Sequence, residues 1–362
     1  MTIKNLFGYS ISRNNVRKEC LRRYFYQYYF HWNGWLIKES IKKELDETFG
    51  PLDPSSKIRK KMAYTFKKST GKYLYVGNKI HSQIEHLLLL LKKGAVLTKG
   101  QQKKFADMAV AKFQEELDEI LKNQKREEFL VKPKDNVFFI EYLNSSQFSH
   151  GFSNLIAPNW TRFSMDLTDL FEVNMRAFFD TGLYNGLHFL FKRSGIADIE
   201  PNYIYTYEFK QDGNRYKIPI QVRPDLLTVS DGVMGVFDWK TGSSRNIKFF
   251  QLQYYAFMLL KMHKEGKIFQ DQEINEVKLK IYCLKESKPI IQDYEDGCFD
   301  IEAMHQDFIE MMDITDDGID SNVVANSREE EFPCKRDSGM FGCRACPFLH
   351  ICPGTAQELN FS

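Results

Sequence analysis

The sequence predicts an α/β fold in which helices flank a mixed central sheet. Between Pro201 and Leu284, four segments rich in β-branched and aromatic residues are bounded by Gly, Asp and Asn, as strands usually are. A helical segment at 245–263 interrupts them before the last strand. This order favours a mixed sheet with helices packed on it. The predicted strands lie at 203–210, 216–229, 233–242 and 276–285.

Before the sheet, the pattern is mostly helical. The basic and aromatic segment at 11–36 predicts one helix, with Ser12 as its N-cap. Another helix is expected at 79–94, where a terminal glycine would cap it. The segment "NVFFIEYL" at 136–143 has the composition of a strand. Further helices are expected within 37–68, 99–128, 167–179 and 183–192.

The bulk composition excludes several classes of protein. With 362 residues, 43% of them hydrophobic, the chain can bury a sizeable core. Its 50 basic and 48 acidic side chains give a formal charge of +2, so no global field indicates a nucleic-acid partner. No segment approaches about 18 consecutive apolar residues, and we expect a cytoplasmic protein without a membrane span. In that reducing compartment, closely spaced cysteines indicate metal ligands or buried thiols, not disulfides.

An acidic hairpin is the clearest local feature. Asp231-Gly232 lies between two predicted strands, and a tight hairpin turn needs the positive backbone angles that these residues tolerate. With these two residues at the turn, Asp225 falls directly opposite Asp238. Two carboxylates with Cβ atoms about 5 Å apart repel each other unless a positive charge lies between them, and a divalent cation would supply it. Asp238 and Lys240 are two apart, so their side chains point to the same face.

Two carboxylates and an ammonium on one face suit the hydrolysis of a phosphodiester. Carboxylate oxygens bind Mg²⁺ or Mn²⁺, which lowers the pKa of a bound water, and the lysine positions that water or stabilises the anion. The alternative is an exposed strand end with a surface ion pair, in which Asp225 caps a bulge. A three-residue loop would also offset the pairing by one residue.

Two further polar pairs lie on flanking helices. Gln251 and Tyr255 are four residues apart on one helix face, from which they could reach the metal site or a DNA backbone. Alternatively, this helix packs on the sheet and Gln251 is only solvated. His81 and Glu85 are also four apart, but a single helical histidine is more often structural than a ligand.

The cysteines suggest a second metal centre. Cys343, Cys346 and Cys352 are spaced C-x2-C-x5-C, which can place three sulfurs around one metal. Cys334 or the distant Cys20 could supply the fourth ligand. Cysteine ligation suits zinc or an iron–sulfur cluster, and the spacing does not choose between them.

The helix that contains Cys20 is basic and aromatic. It could track a phosphate backbone and stack bases, or it could have one solvated basic face and one buried aromatic face. Its basic residues are Arg13, Arg17, Lys18, Arg22 and Arg23.

Taken together, four segments resemble the successive motifs of RecB-like nucleases of the PD-(D/E)XK superfamily. The segments are His81 in "GNKIHSQIE", Asp225 in "RPDLL", Asp238 with Lys240 in "FDWKTG", and Gln251 with Tyr255 in "QLQYYAFML". The cysteines are similar to those of the iron–sulfur branch, which includes the CRISPR-adaptation exonucleases and AddB-type nucleases. Two departures stand out: Leu21 follows the first cysteine where the family often has proline, and the helical region after His81 is longer than in compact members.

The resemblance implies a restriction-endonuclease-like core and roles for individual residues. A divalent metal, Mg²⁺ or Mn²⁺, would be held by His81, Asp225, Asp238 and the backbone carbonyl of Trp239. Lys240 would be the catalytic lysine, while Gln251 and Tyr255 would support the site and the DNA strand. A 4Fe-4S cluster, with zinc as the alternative, would join the two ends of the chain through Cys20, Cys343, Cys346 and Cys352.

We therefore expect one nuclease domain over residues 1–362, acting as an exonuclease on single-stranded DNA or DNA ends in repair, recombination or defence. A protein partner in such a complex is also expected. The alternatives are a nucleic-acid- or partner-binding subunit with little or no cleavage, and a zinc-stabilised protein. The expected parts are an N-terminal helix at 11–36, a mainly helical region at 77–200, a catalytic sheet and helix at 201–290, and a cluster segment at 330–362.

Overall fold

A computed structural model shows two compact units in this chain. Unit 1 consists of Met1–Lys72, Asp118–Phe163 and Gln306–Ser362, and unit 2 consists of Tyr73–Leu117 and Ser164–His305. The expectation of a single domain stays a prediction. Within these units the structure describes residues 8–37, 57–122, 132–134, 137–143, 159–242, 244, 248–286, 289–313, 332, 346–348 and 351–352.

The described helices agree in large part with the predicted ones. The helices expected at 167–179 and 183–192 are confirmed, and the one expected at 79–94 begins earlier, at Lys72. In chain order the helices are α1 (Ile11–Glu19), α2 (Leu21–Phe25), α3 (Lys57–Lys67), α4 (Lys72–Lys92), α5 (Lys99–Lys122), α6 (Ile140–Leu143), α7 (Trp160–Asp180), α8 (Leu183–Arg193), α9 (Phe250–Lys264) and α10 (Ile301–Asp313). None of these helices is both long enough and apolar enough to cross a membrane.

Unit 2 contains a five-stranded sheet in the order β1-β4-β5-β6-β7 and a separate two-stranded sheet of β2 and β3. In the larger sheet β5 runs parallel to β6, while the other neighbours are antiparallel, so the expected mixed sheet is confirmed. The strands are β1 (Ile196–Ile199), β2 (Tyr203–Gln211), β3 (Asn214–Val222), β4 (Leu226–Ser230), β5 (Val233–Lys240), β6 (Glu276–Cys283) and β7 (Pro289–Asp293).

The central strand β5 is buried along most of its length. Met234, Val236 and Phe237 are at most 1% exposed, and α9 packs on this strand through an apolar face. Polar side chains at the end of such a strand are held in fixed positions, because their neighbours are closely packed.

The predicted strand at 216–229 is in fact two strands in different sheets. β3 ends at Val222 and pairs with β2, whereas β4 begins at Leu226 and pairs with β5. Pro224 lies between them, and it has no N–H to donate to a ladder. This break leaves Asp225 at the open end of the β4–β5 hairpin.

In unit 1, the predicted helix at 11–36 is interrupted at Cys20. α1 ends at Glu19, Cys20 has extended backbone angles (φ −160°, ψ 114°), and α2 begins at Leu21. Sγ of Cys20 accepts a hydrogen bond from the backbone N–H of Arg23 at 3.5 Å. The cysteine therefore occupies the N-cap of α2, a position that usually carries a side chain able to accept from the backbone.

Two smaller predictions in unit 1 were wrong. The N-cap of α1 is Ser10, whose hydroxyl accepts from the backbone of Arg13 at 3.3 Å, and not Ser12. The segment expected as a strand at 136–143 forms an isolated bridge between Thr70 and Phe139, followed by the short helix α6. Aromatic composition alone cannot separate these two outcomes.

Two arginines of α1 are buried in unit 1, where they form hydrogen bonds and ion pairs. Arg13 donates to the hydroxyls of Tyr24 and Tyr29, at 3.2 and 2.6 Å. Arg17 forms ion pairs with Asp307 and Glu310, at 2.8 and 2.6 Å. Both arginines are 8% exposed, so for these two residues the expectation of a solvent-facing basic side was wrong.

Candidate active site

Unit 2 brings the predicted site residues together from its sheet and two of its helices. α4 carries His81, β5 carries Asp238, Trp239 and Lys240, and α9 carries Gln251 and Tyr255. Asp225 precedes β4, and the loop after β1 adds Glu200, which the sequence analysis did not identify.

The acidic hairpin has the predicted register. Asp231 and Gly232 form its turn with φ of 50° and 77°, the left-handed region that a tight hairpin needs. The ladder places Leu226 opposite Phe237 and ends there. One residue further, the backbone N–H of Asp225 donates to the carbonyl of Phe237 at 3.1 Å. Asp225 and Asp238 therefore leave the hairpin at the same end, as predicted.

Asp225 is held against the end of β5. Its Oδ2 accepts a hydrogen bond from the backbone N–H of Trp239 at 2.6 Å. Its Oδ1 lies 3.5 Å from Nδ1 of His81. The other ring nitrogen of His81, Nε2, lies 3.0 Å from the carbonyl of Trp239. With its proton on Nε2, the imidazole donates to that carbonyl and turns the lone pair of Nδ1 towards Asp225.

Asp238 and Lys240 form an ion pair on one face of β5. Nζ of Lys240 donates to Oδ1 of Asp238 at 3.0 Å and lies 2.7 Å from Oδ2. Within the described residues Oδ2 makes no hydrogen bond, although the ammonium lies 2.7 Å from it. Asp238 is 5% exposed. Burial raises the pKa of Asp238 to about 6, and Asp225 adds to the rise, whereas Lys240 opposes it.

The imidazole of His81 is surrounded by carboxylates. Burial alone would lower the pKa of His81, but the hydrogen-bonding and charge of Asp225, with the charges of Asp238 and Glu200, raise it above its ordinary value. A site that stabilises a cationic imidazole also attracts other cations, because the same negative potential acts on both.

Glu200 completes a group of three residues that could hold a metal ion. One ligand atom each from His81, Glu200 and Asp225 lies within 4.8 Å of the others. The backbone N–H of Glu200 donates to the carbonyl of Asp225 at 2.9 Å, and its φ is 46°, an uncommon value for glutamate. Burial and the charge of Asp225 raise the pKa of Glu200, while Arg223, 3.5 Å away, lowers it.

The sequence gives one local signal at Glu200, its position directly before Pro201, and this signal does not identify the residue as a metal ligand. The predicted metal set contained Asp238 and the carbonyl of Trp239 in its place. The carbonyl of Trp239 lies 3.0 Å from Nε2 of His81, and Asp238 is close enough for its charge to raise the pKa of His81.

Gln251 and Tyr255 form a pair on α9. Nε2 of Gln251 donates to the hydroxyl of Tyr255 at 3.0 Å, as their spacing of four residues allows. Tyr255 is 9% exposed. Burial raises the pKa of Tyr255, and the charges of Asp238 and Asp225 raise it further, which places the phenol within electrostatic reach of the acidic group.

Unit 1 brings three of the predicted cluster cysteines near one another. Burial raises the pKa of the Cys346 thiol to about 12, and the neighbouring thiols of Cys20 and Cys352 add to the rise. A hydrogen bond from the backbone of Phe348 and the charge of Arg23 oppose it. The remaining candidates, Cys343 and Cys334, lie outside the described residues.

Contacts of the intervening chain hold this cysteine segment in place. The carbonyl of Ile351 accepts from the hydroxyl of Tyr26 at 3.1 Å and from Nε of Arg59 at 3.0 Å. The ring of Phe332 stacks on Phe25 at 4.5 Å. The sequence-distant Cys20 and Cys352 are thus near each other because aromatic and arginine side chains around them form one core.

Comparisons with known proteins bear on most of unit 2 and on part of the segment Gln306–Ser362 of unit 1. The model of the PD-(D/E)XK nuclease superfamily matches residues 171–353, half of the chain. No curated protein matches the chain. Among solved structures, the chain is similar to the crystal structure of SSO0001, with 14% identity over 54% of this chain and 80% of that chain and a TM-score of 0.27. That likeness is too weak to carry an argument.

Proposed function

The chain belongs to the PD-(D/E)XK nuclease superfamily, whose members bind nucleic acid and use divalent metals such as Mg²⁺ or Mn²⁺, and on this premise we propose that it is a metal-dependent deoxyribonuclease. The observation that carries the proposal is the ion pair of Asp238 and Lys240 at the end of a buried strand, beside the group of His81, Glu200 and Asp225. A buried carboxylate, an ammonium and a cation-attracting group at one strand end suit phosphodiester hydrolysis.

The residues present fit a divalent cation. Among the described residues, Oδ2 of Asp238 makes no hydrogen bond and is in ion-pair contact with Lys240 at 2.7 Å, and hard cations prefer such carboxylate oxygens. His81, Glu200 and Asp225 would hold the ion, with Asp238 and the carbonyl of Trp239 beside them. When bound, the metal would lower the pKa of a water and neutralise charge that develops on the phosphate.

Each polar residue then has a defined task. Lys240 would hold the attacking water or stabilise the anionic phosphate, since its side chain is 42% exposed and can reach a substrate. His81 would keep Nδ1 towards the carboxylates by donating from Nε2 to the carbonyl of Trp239. Tyr255, fixed by Gln251, would face the DNA strand with a protonated hydroxyl, because its raised pKa keeps the proton in place.

Substitution of the ion pair tests this assignment. Asp238→Asn and Lys240→Ala should each lower Mn²⁺-dependent DNA cleavage by about 100-fold or more while the protein stays folded. Asp293→Asn and Lys278→Ala on β7 and β6 are matched controls, because they change the same residue types on strands outside the site. Wild-type rates in either site variant would remove the proposal.

We further propose that the substrate is single-stranded DNA or a DNA end and that digestion is exonucleolytic. The proposal includes a role in repair, recombination or defence, in the cytoplasm and beside a partner protein. Its support is the resemblance of the His81, Asp225, Asp238 and Lys240 segments to RecB-like nucleases. The test compares linear and circular single strands with duplex DNA and single-stranded RNA. Cleavage of the circle would contradict an exonuclease, and binding without any cleavage would favour a non-catalytic subunit.

We also propose that Cys20, Cys343, Cys346 and Cys352 hold an iron–sulfur cluster, with zinc as the alternative metal. The donor set fits such a group because Cys346 lies among two other thiols beside the charge of Arg23, whose buried Nε has no hydrogen-bond acceptor among the described residues. A thiolate-bound centre is anionic and would accept from that N–H. The cluster would position these segments of unit 1.

The spectrum and metal content of anaerobically purified protein test the cluster. A brown protein with a broad visible absorption band and bound iron is expected, and Cys20→Ser and Cys346→Ser should each lose that band. Cys283→Ser and Cys298→Ser are matched controls in unit 2 and should keep it. Colourless protein with stoichiometric zinc would establish the alternative, and retention of the metal in Cys20→Ser would assign the fourth ligand elsewhere.

A further inference from the structure

Unit 1 carries a strongly basic helix face that the candidate active site does not use. The segment 57–72, "KIRKKMAYTFKKSTGK", has seven basic and no acidic residues. One side of α3 carries Lys57, Lys60 and Lys67, at successive spacings of three and seven residues, and Lys68 directly follows the helix. Arg59 points the other way and is 1% exposed.

Aromatic rings lie beside each of three lysines on this side. Nζ of Lys60 is 5.9 Å from the ring centre of Phe30, and Nζ of Lys67 is 5.6 Å from that of Tyr28. Nζ of Lys68 is 5.8 Å from the ring centre of Tyr64. We call the surface formed by Lys60, Lys67, Lys68, Trp32 and Trp35 the α3 face.

Gly34 packs closely against α3, and this contact brings Trp32 and Trp35 beside the helix. A Cβ atom on Gly34 would lie 2.7 Å from Cβ of Tyr64 and 2.8 Å from the carbonyl oxygen of Lys60, so only glycine allows this turn to lie on α3. Trp35 then packs at 5.7 Å from Tyr64 and at 5.1 Å from Trp32, measured between ring centres. Both indole rings belong to partly exposed residues, so part of their surface faces solvent.

The α3 face concentrates positive charge. In the part of the chain that the structure describes, no carboxylate pairs with Lys60, Lys67 or Lys68. Burial lowers the pKa of Lys67 to about 8, and the charges of Lys68 and Arg13 lower it further. The pKa of Lys68 is lowered by burial and by Lys134. Crowded cations of this kind are stabilised when an anion binds.

We propose that the α3 face is a docking surface for single-stranded DNA, with the lysine ammoniums on successive phosphates and the exposed indole rings stacked on bases. Charge complementarity favours a polyanion. Partly exposed aromatic rings interleaved with lysines favour unpaired bases, since the bases of a duplex are already stacked. An acidic protein would use the lysines but would gain little from the indoles.

This inference rests on the proposed function only for its choice of DNA. The surface belongs to unit 1 and includes none of the residues assigned to catalysis. Binding and cleavage can therefore fail separately: loss of cleavage in Asp238→Asn tests the nuclease, and loss of binding in α3-face variants tests the docking surface.

The test is fluorescence anisotropy of a labelled oligothymidylate of about 20 nucleotides, with the full chain carrying Asp238→Asn so that the probe stays intact. Lys60→Ala/Lys68→Ala should weaken binding about 10-fold at 0.1 M salt and should reduce the slope of log K against log salt by roughly 1.4, the value for two phosphate contacts. Trp35→Ala should weaken binding by about 5- to 100-fold with an unchanged slope.

Lys103→Ala/Lys104→Ala on the exposed side of α5 is the matched control and should change neither quantity. Thermal melting checks that each variant is folded, and quenching of tryptophan fluorescence by the probe gives a second readout in the protein without α3-face substitutions. An unchanged affinity and slope in the Lys60/Lys68 variant would overturn the proposal. Duplex DNA that binds as tightly as the oligothymidylate would also overturn the proposal and would assign the face to a duplex. Poly-glutamate that binds as tightly, with no effect of Trp35→Ala, would overturn it as well and would assign the face to an acidic protein.

Discussion

The carboxylate of Asp225 accepts a hydrogen bond of 2.6 Å from the backbone N–H of Trp239, and this bond joins the start of β4 to the end of β5. The bond uses Oδ2, while Oδ1 lies 3.5 Å from Nδ1 of His81. One side chain therefore fixes the strand that carries Asp238 and also contributes to the cation-attracting group. Hydrogen bonds to a charged acceptor are about twice as strong as those between neutral groups.

The two tasks of Asp225 can be separated by substitution. Asp225→Asn keeps an oxygen that accepts from Trp239 but removes the charge, so we expect DNA cleavage to fall about 100-fold or more with little change in stability. Asp225→Ala also leaves the N–H of Trp239 without its acceptor and should lower the free energy of unfolding by about 1–3 kcal/mol. Urea unfolding and cleavage assays measure the two effects. Equal stability of both variants would show that the bond contributes nothing.

Glu200 should contribute to metal affinity. Glu200→Gln preserves the shape of the side chain but removes one negative charge from the group with His81 and Asp225. Because the number of charged ligands sets the affinity of such sites, we expect Mn²⁺ binding to weaken by about 10-fold in calorimetry. Glu276→Gln on β6 is an exposed control and should bind as the wild type does. Unaltered affinity in Glu200→Gln would exclude this residue as a ligand.

The close contact at Gly34 predicts a large difference between two alanine substitutions. Gly34→Ala would force Cβ to 2.7 Å from Tyr64 and should destabilise the protein by about 1–3 kcal/mol, as overpacked sites usually do. Gly100→Ala, on α5 with open space around it, should be neutral or stabilising by up to about 1 kcal/mol. Denaturant unfolding measures both. A Gly34→Ala protein as stable as Gly100→Ala would contradict the packing of the Trp-bearing turn on α3.

Buried His31 should make stability depend on pH. Burial and the charge of Lys67 lower the pKa of His31 from 6.5 to about 3, although a hydrogen bond to the carbonyl of Tyr26 opposes the shift. The folded pKa lies below the unfolded one, so between these values the unfolded chain binds a proton that the folded chain does not. Stability is therefore fully present above pH 6.5 and falls on acidification.

The expected loss from this histidine is at most about 1.4 kcal/mol per pH unit between pH 6 and pH 4. His31→Gln should remove that part of the dependence while the carboxylates continue to titrate. Urea unfolding of both proteins at several pH values gives the difference. Parallel curves for wild type and His31→Gln would show that His31 binds protons equally in the folded and the unfolded chain, which would contradict the prediction.

The parts of the fold that were predictable depend on local signals. Asp231-Gly232 fixes the hairpin register through its own backbone preferences, and the register in turn places Asp225 near Asp238. The split of the segment 216–229 was missed because both halves have the same strand composition, and Pro224 is the one break signal among the three residues between them. Sheet membership depends on tertiary pairing, which residue composition does not encode.

The same reasoning explains what the sequence analysis missed around the two candidate sites. Glu200 joins His81 and Asp225 only because the short strand β1 pairs with β4, and β1 itself was not predicted. The break at Cys20 was missed because basic and aromatic residues continue on both sides of it. The basic stripe of α3 was visible as composition, but its tryptophan neighbours depend on the contact of Gly34 with α3.

The division of the chain into units also bears on its synthesis. Unit 2 takes its last residue at His305, whereas unit 1 draws on Gln306–Ser362 as well as on Met1–Lys72. Domains fold as units while the ribosome adds residues one after another. The sheet with Asp225, Asp238 and Lys240 can therefore complete its contacts during translation. Unit 1, with Cys20 and Cys352 in one core, must wait for the segment Gln306–Ser362, so the two cysteines can meet only after all of unit 2 has been synthesised.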